Sequence, residues 1–258
     1  MDIRNKKIIL AENRNLCLYG ALKNIQKSQP ITSQFEKIFL LEPENIPKVN
    51  ILANTKPISI AIKLLNPVIM HVVASNYDNE NKDDIYSFRD TSTYLQSNLC
   101  VLLDSSDLFP IKTPDSVIYI KNVLFFRNEQ MRIVNDPKFF SVINICPIKE
   151  PELINEHMKT EDFIMTTRII ETFFVTAYTL GHKSIILTNF GCNDIDKNPP
   201  EDIAFIYNYC IIKYGHLFDN IIITFELLNK NDFTTLKIFN NTITTFKFEN
   251  LEEEDDYE

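Results

Sequence analysis

The stretch that most limits what this chain can fold into is residues 184–204, Ser-Ile-Ile-Leu-Thr-Asn-Phe-Gly-Cys-Asn-Asp-Ile-Asp-Lys-Asn-Pro-Pro-Glu-Asp-Ile-Ala: an apolar run, a loop with one glycine, then a strongly marked helix start. Ile185, Ile186 and Leu187 suit a buried strand. Asn198 suits an N-cap, Pro199 and Pro200 the first helical positions, and Glu201 and Asp202 complement the positive helix end. A strand that hands the chain through a loop to a helix N-terminus is a unit of α/β architecture, and it turns unpaired backbone N–H groups toward the crevice beyond the strand. Phosphate is the usual occupant of such a crevice, although many junctions of this kind only connect. Gly191 is the only glycine in the loop, and Asp194 and Asp196 add negative charge that Lys197 offsets once. A phosphate here is therefore expected to bind weakly.

The rest of the chain alternates short helices and strands. Helical spacing predicts helices over residues 12–27, 58–65 and 93–103, from a cap at Thr160 to a stop at Gly181, and from Pro199 to a stop at Gly215. Apolar runs predict strands over residues 35–41, 49–52, 68–74, 117–120, 123–126, 140–145, 185–189 and 220–225. Residues 77–90 are rich in Asn and Asp and read as a long loop. Residues 234–239 and 242–248 alternate Thr with apolar side chains and meet at Asn240-Asn241, which predicts a terminal β-hairpin. The acidic residues 252–258 read as a solvated tail. With no repeat or low-complexity linker, the expectation is one α/β domain over residues 1–230, a hairpin extension over 231–250 packed on it, and a tail over 251–258.

Charge and cysteine usage narrow the function classes. A net charge of −9 argues against a nucleic-acid backbone or an anionic membrane as the main partner. The five cysteines are odd in number, widely spaced and set in apolar runs, as for buried thiols in a reducing compartment, and no signal peptide is visible; a cytoplasmic location is expected. The excess of Asn, Ile and Lys over Ala and Gly resembles translation of AT-rich coding sequence, as in some viruses and parasites. The four histidines have no metal-ligand spacing, and neither a Gly-Lys-Ser/Thr phosphate loop nor a dinucleotide glycine fingerprint is present, so neither metal nor cofactor is expected. Cys192 has the place of a nucleophile but more often such a residue packs. Arg127, after an apolar strand, either contacts an anion or is solvated.

Several of these segments together carry a resemblance. The run from Leu187 through Phe190-Gly191-Cys192 to Asn198-Pro199-Pro200-Glu201-Asp202-Ile203-Ala204 resembles the diphosphate loop of microbial-type poly(ADP-ribose) glycohydrolases, a branch of the macrodomain family, where an aromatic-Gly-Cys-Gly turn precedes Asn and Pro before a helix. Asp115 to Tyr119 with Val123 to Arg127 is similar to that family's Tyr-Ser-Pro and Phe-Arg strand pair, Ser141 to Pro147 to its Val-x-x-Ala-Pro strand, and Asn54 to Ala61 to its strand-to-helix segment. The resemblance implies a three-layer α/β/α macrodomain-like sandwich with a mixed sheet. It also implies a crevice for ADP-ribose or a related nucleotide diphosphate beside Ser75, Asn76, Asn189, Phe190, Gly191, Cys192 and Asn193. An ADP-ribosylated protein is the partner it suggests; the terminal hairpin, which the resemblance does not explain, would offer a sheet edge to a further protein partner.

The departures fall where the family's chemistry lies. Its consecutive glycines correspond here to Val72-Val-Ala-Ser-Asn-Tyr-Asp-Asn, without glycine, and Asn193 stands for the second loop glycine. Its Gln-Glu-Glu-x-Leu-Cys helix start corresponds to Leu95-Gln-Ser-Asn-Leu-Cys, so Gln96 and Ser97 occupy the positions of the paired glutamates. Neither can donate and recover a proton near neutral pH as a tuned carboxyl group does. Glu80, Asp83 or Asp84 could substitute from the preceding loop. The expectation is a divergent macrodomain-like pseudoenzyme with no catalytic residue, and the alternatives are an interaction module that kept only the fold or a surviving hydrolase with rearranged carboxylates.

Overall fold

The computed structural model of the chain describes residues 3–22, 30–33, 46–73, 91–104, 111, 115–227 and 230–249. In the apolar strands the side chains alternate between two cores, which is what a sheet buried on both faces requires. Val68, Met70 and Val72 of β3 (Pro67–Val72), Ile185 and Leu187 of β8 (Ser184–Leu187), and Ile221, Ile223 and Phe225 of β9 (Asn220–Phe225) face one core. Ile69, Ile186 and Ile222 face the other. The first core is covered by α5 (Thr160–Thr179), α6 (Pro200–Tyr214) and α7 (Lys230–Glu249). The second is covered by α1 (Ile3–Leu18), α2 (Pro57–Ala61), α3 (Thr91–Leu95) and α4 (Leu99–Asp104). The result is the expected three-layer sandwich.

With β1 (Ile31–Ser33), β2 (Lys48–Ala53), β4 (Val117–Arg127) and β5 (Ile133–Ile145), the sheet has seven strands in the order β1-β4-β5-β3-β8-β9-β2. The run β5-β3-β8-β9-β2 is parallel, and β4 and β1 join antiparallel, so the sheet is mixed as predicted. Val72 lies opposite Ile145, and Leu187 opposite Ile223, so β5, β3, β8 and β9 end along one edge. That edge is where ligands of open α/β sheets lie. A two-stranded hairpin, β6 (Leu153–Ile154) and β7 (His157–Met158), stands beside it.

The predicted terminal hairpin is a correction: the segment is the helix α7. Among the described side chains of α7, Thr235, Phe239 and Ile243 are buried, spaced by four, and Phe239 packs on Phe225 and Tyr207 at 5.0 and 5.6 Å between ring centroids. The local Thr/apolar alternation hid this helical period, and Asn240 and Asn241 are exposed on the outer face. Two threonines accommodate the helix by bonding back one turn, Thr234 Oγ1 to Lys230 O and Thr242 Oγ1 to Ile238 O. The segment therefore belongs to the main core and is not an added extension.

Other boundaries also move. The first helix is α1, ending before Gly20, whose N–H donates to Asn15 O at 2.8 Å. The helix predicted over residues 93–103 is two short helices broken at residues 96–98. The strands predicted over 117–120 and 123–126 are one strand, β4, with a register shift between Ile120 and Val123 where Asn122 takes φ 55°. Thr160 is the first residue of α5 rather than its cap, and Gly181 closes that helix at φ 79°. Gly215 caps the end of α6 as expected, and the chain continues from it into a 3₁₀ turn, Gly215–Leu217. The predicted strand over residues 35–41 and the loop over 77–90 lie outside the described residues.

Candidate functional site

At the C-terminal end of β8 the chain turns through Thr188, Asn189, Phe190, Gly191, Cys192 and Asn193. Phe190 is fully buried and anchors the turn in the core. Gly191 sits at φ 69°, where a side chain is strained, and a Cβ there would meet Asn198 Nδ2 at 2.7 Å and Pro147 Cβ at 2.9 Å. The glycine is thus required by its own neighbours, the end of β5 and the return of the loop. Asn189 Nδ2 donates to Cys192 O at 3.0 Å, and Asn193 Oδ1 accepts from the N–H groups of Ile195 and Asp196, both at 2.8 Å. Asn193, Lys197 and Asn198 donate their N–H groups to carbonyls within the loop. Among the described residues the backbone N–H groups of Gly191 and Cys192 have no such partner. Thr188 Oγ1 and Asn189 Oδ1, buried at the same strand end, also lack one.

The helix start behind the loop departs from expectation. Pro199, not Asn198, takes the cap position, and the Asn198 amide turns away to Ile148 O at 2.8 Å and Asp196 O at 3.2 Å. Pro199 and Pro200 bring no N–H, so the positive end of α6 is poorer in donors than a usual helix start. It is also crowded with carboxylates. Asp202 accepts from Met158 N–H at 2.6 Å and from His157 Nδ1 at 2.7 Å, and the His157 imidazole is pushed up by that bond and by the Asp202 charge. The Cys192 thiol is pushed well above its ordinary range by burial first and then by Glu201, Asp202 and Asp196. A thiol held protonated is a poor nucleophile, and the Cys192 side chain is buried in the first core. Between this loop, the β6–β7 hairpin and α7 lies a cavity of about 530 Å³.

Gln96 and Ser97 stand in a different setting. Both are fully buried, 0% exposed, in the break between α3 and α4. Gln96 O accepts from Phe126 and Arg127 N–H, and Gln96 Nε2 reaches Arg127 O at 3.4 Å. Ser97 Oγ donates to Thr93 O at 2.8 Å and accepts from Leu99 N–H at 3.3 Å, helping to start α4. Asn13 of α1 ties the segment down through Leu95 O at 2.8 Å. Arg127, read from sequence as an anion contact or a solvated strand end, is not solvated, and the anion it meets is the chain's own Glu12: it is 5% exposed and bonds Asn13 Oδ1, Met131 O and Glu12 Oε2 at 2.7, 2.7 and 2.8 Å.

No family model matches the chain, and no curated protein matches it in sequence. Among solved structures it is similar to poly(ADP-ribose) glycohydrolase from Thermomonospora curvata, at TM-score 0.73 and 12% identity over 93% of this chain and 99% of that one. The fold is that of bacterial poly(ADP-ribose) glycohydrolases. The same enzyme bound to the inhibitor ADP-HPD gives TM-score 0.68 at 12% identity over 92% and 99% of the two chains. The Deinococcus radiodurans enzyme in complex with ADP-ribose gives 0.63 at 11% identity over 94% and 91%.

Within this glycohydrolase-like fold, Asn189, Phe190, Gly191, Cys192 and Asn193 are brought together in one turn, whereas Ser75, Asn76, Glu80, Asp83 and Asp84 lie outside the described residues. Sequence reasoning missed two polar pairs. His71 of β3, fully buried, meets Asn144 Oδ1 of β5 at 2.7 Å and stacks on Tyr94 of α3 at 6.2 Å. His157 meets Asp202 across a gap of 45 residues. No local pattern announces either pair, because each is made by elements that only the folded sheet makes neighbours. Among the described residues no cluster of His, Cys, Asp and Glu could hold a metal ion, and no helix is long and apolar enough to cross a membrane.

Proposed function

We propose that the chain binds ADP-ribose or a related nucleotide diphosphate at the turn after β8 and does not cleave the glycosidic bond through the residues at positions 96 and 97. The observation that carries the reading is the turn itself. Gly191 at φ 69° holds a main-chain segment whose N–H groups are not used internally, at the edge of the parallel strands, beside buried Thr188 and Asn189 oxygens that need donors. Free N–H groups suit diphosphate oxygens and free acceptors suit ribose hydroxyls. The comparable bacterial enzymes are seen with ADP-ribose and with ADP-HPD. The second half of the proposal rests on Gln96 and Ser97, which lack an ionisable carboxyl and are closed from solvent.

A calorimetric titration with ADP-ribose, paired with release assays on poly- and mono-ADP-ribosylated substrates, tests both halves. Weak binding, lost in Gly191→Val and strengthened in Asp194→Asn, with no release above background, is the expected result. Submicromolar binding indifferent to Gly191→Val would move the ligand elsewhere. Turnover that disappears on changing Glu80, Asp83 or Asp84 would make the protein an active hydrolase. One observation favours a second reading, an interaction module: Phe205, Tyr209 and Ile212 form an exposed row on α6, at 53%, 40% and 59% exposure. A protein partner on a terminal hairpin is withdrawn with the hairpin.

A further inference from the structure

The cavity of about 530 Å³ on the α7 side of the loop has walls unlike those of an anion site. Four charged side chains line it: Glu156, Asp194, Lys197 and Glu201. Lys197 Nζ is held by Glu150 Oε1 at 2.6 Å, so its charge is spent outside the cavity. Glu156 and Glu201 are exposed and have no ion-pair partner among the described residues. Deeper in, Asn198 is 2% exposed and lines the same cavity. Its Nδ2 is fixed by two carbonyl acceptors, Ile148 O and Asp196 O, which settles the amide's orientation and leaves Oδ1 as an acceptor without a donor. Leu153, Pro199, Pro200 and Ile238 supply apolar wall between these groups. Three carboxylates at the mouth, an unsatisfied buried acceptor within and an aliphatic lining together match a cationic donor on an apolar stem.

We propose that this cavity is a binding site for a guanidinium or ammonium group carried on an aliphatic chain, as in an arginine or lysine side chain of a peptide or in a free polyamine. The cation's N–H donors meet Asn198 Oδ1 and the carboxylates of Glu156 and Glu201, and the stem lies on Leu153 and Ile238. The cavity shares Cys192 and Asn193 with the turn proposed to bind nucleotide, but the cation's contacts are the side chains of Glu156, Asn198 and Glu201, so its binding is read separately from that of ADP-ribose.

The test is NMR titration of the full chain with three probes: N-acetyl-arginine amide, its neutral isostere N-acetyl-citrulline amide, and spermidine. The arginine probe should shift the amides of Glu156, Asn193, Glu201 and Thr235 saturably, and the citrulline probe should leave them in place. Glu156→Gln and Glu201→Gln should each weaken the arginine probe by about two- to fivefold, the usual worth of an exposed ion pair, and added salt should weaken it further. Spermidine competing for the same amides assigns the site to small polycations as well; spermidine without effect restricts it to peptide side chains. Equal shifts with citrulline, or arginine binding unchanged in the Glu156→Gln, Glu201→Gln double variant, overturns the proposal.

Discussion

The turn after β8 and the break between α3 and α4 are both buried connectors stitched by side-chain to main-chain bonds, yet they differ in how many hydrogen-bonding groups they leave unused. In the turn, Asn193 and Asn198 satisfy the loop's outer N–H and C=O groups and leave Gly191, Cys192, Thr188 and Asn189 with capacity to spare. In the break, Ser97 is used on both sides of its hydroxyl, Gln96 is committed through its main-chain carbonyl and keeps only its buried Oε1 without a donor, and Arg127 and Asn13 close the surroundings. Several spare groups at a strand end, main-chain N–H donors among them, are what a ligand would consume, whereas a single orphan acceptor in a side chain closed from solvent accompanies a packing role. A fold can therefore hold a binding turn while the segment that corresponds by sequence to an acid and base becomes part of the core.

The largest expected effect comes from forcing the second region toward the chemistry it lacks. Gln96→Glu with Ser97→Glu would place two carboxylates where side chains are 0% exposed, and each buried charge without a partner costs several kcal/mol. A fall in unfolding free energy of about 4 kcal/mol or more, read by urea denaturation, is expected, with no release of ADP-ribose. A double variant that folds with wild-type stability and cleaves substrate would erase the distinction between the regions.

Next in size is Gly191→Ala. The change places a Cβ at φ 69°, 2.7 Å from Asn198 Nδ2 and 2.9 Å from Pro147 Cβ. Backbone strain and overpacking together predict a loss of about 2–3 kcal/mol. Smaller again is Ser97→Ala, which removes one acceptor from the start of α4 and one bond to Thr93 O, at about 1 kcal/mol by the same denaturation measurement. If Ser97→Ala instead changes ADP-ribose binding while leaving stability alone, Ser97 belongs to the site and not to the core.

What the sequence revealed of these two regions follows from how local each signal is. The parallel strands and the turn were legible because Ile185 to Leu187, Gly191 and the Pro199-Pro200 start are all short-range features, each with one physical meaning. The cap was misplaced by one residue because Asn198 had a better use, bonding Ile148 O, which lies 50 positions away. The terminal helix was misread because Thr alternation over a few residues imitates a strand. Its real determinant is the fit of Phe239 between Phe225 and Tyr207. The break at residues 96–98 was invisible for the same reason: it exists to let Ser97 bridge to Phe125 of β4. Acidity around the turn is visible in Asp194, Asp196 and Glu201, but the cavity that collects Glu156 with Asp194 and Glu201 needs the β6–β7 hairpin.

The smallest effect separates the regions by pH. The β6–β7 hairpin is fastened to the start of α6 through His157 and Asp202, and the Asp202 hydrogen bond and charge, with smaller help from Glu201 and Glu156, raise the His157 pKa. A histidine whose folded pKa is raised contributes its stabilisation in full below the unfolded value of about 6.5, and loses it as pH climbs through the folded value. His182, held neutral by burial between Tyr119 and Asn66 O, works in the opposite sense: its lowered pKa makes the unfolded state the better proton acceptor as pH falls below about 6.5. Amide hydrogen exchange resolves the two, since only the first is confined to the hairpin. Opening of residues 153–158 should increase between pH 6 and 8 in the native chain and lose that dependence in His157→Gln. The segment around Gln96 and Ser97, which contains no histidine, should show no matching change in local opening over the same range. A hairpin whose protection is flat with pH in the native chain would mean that the Met158 N–H bond to Asp202 alone holds it, and that the ion pair contributes nothing to the shape of the turn beside it.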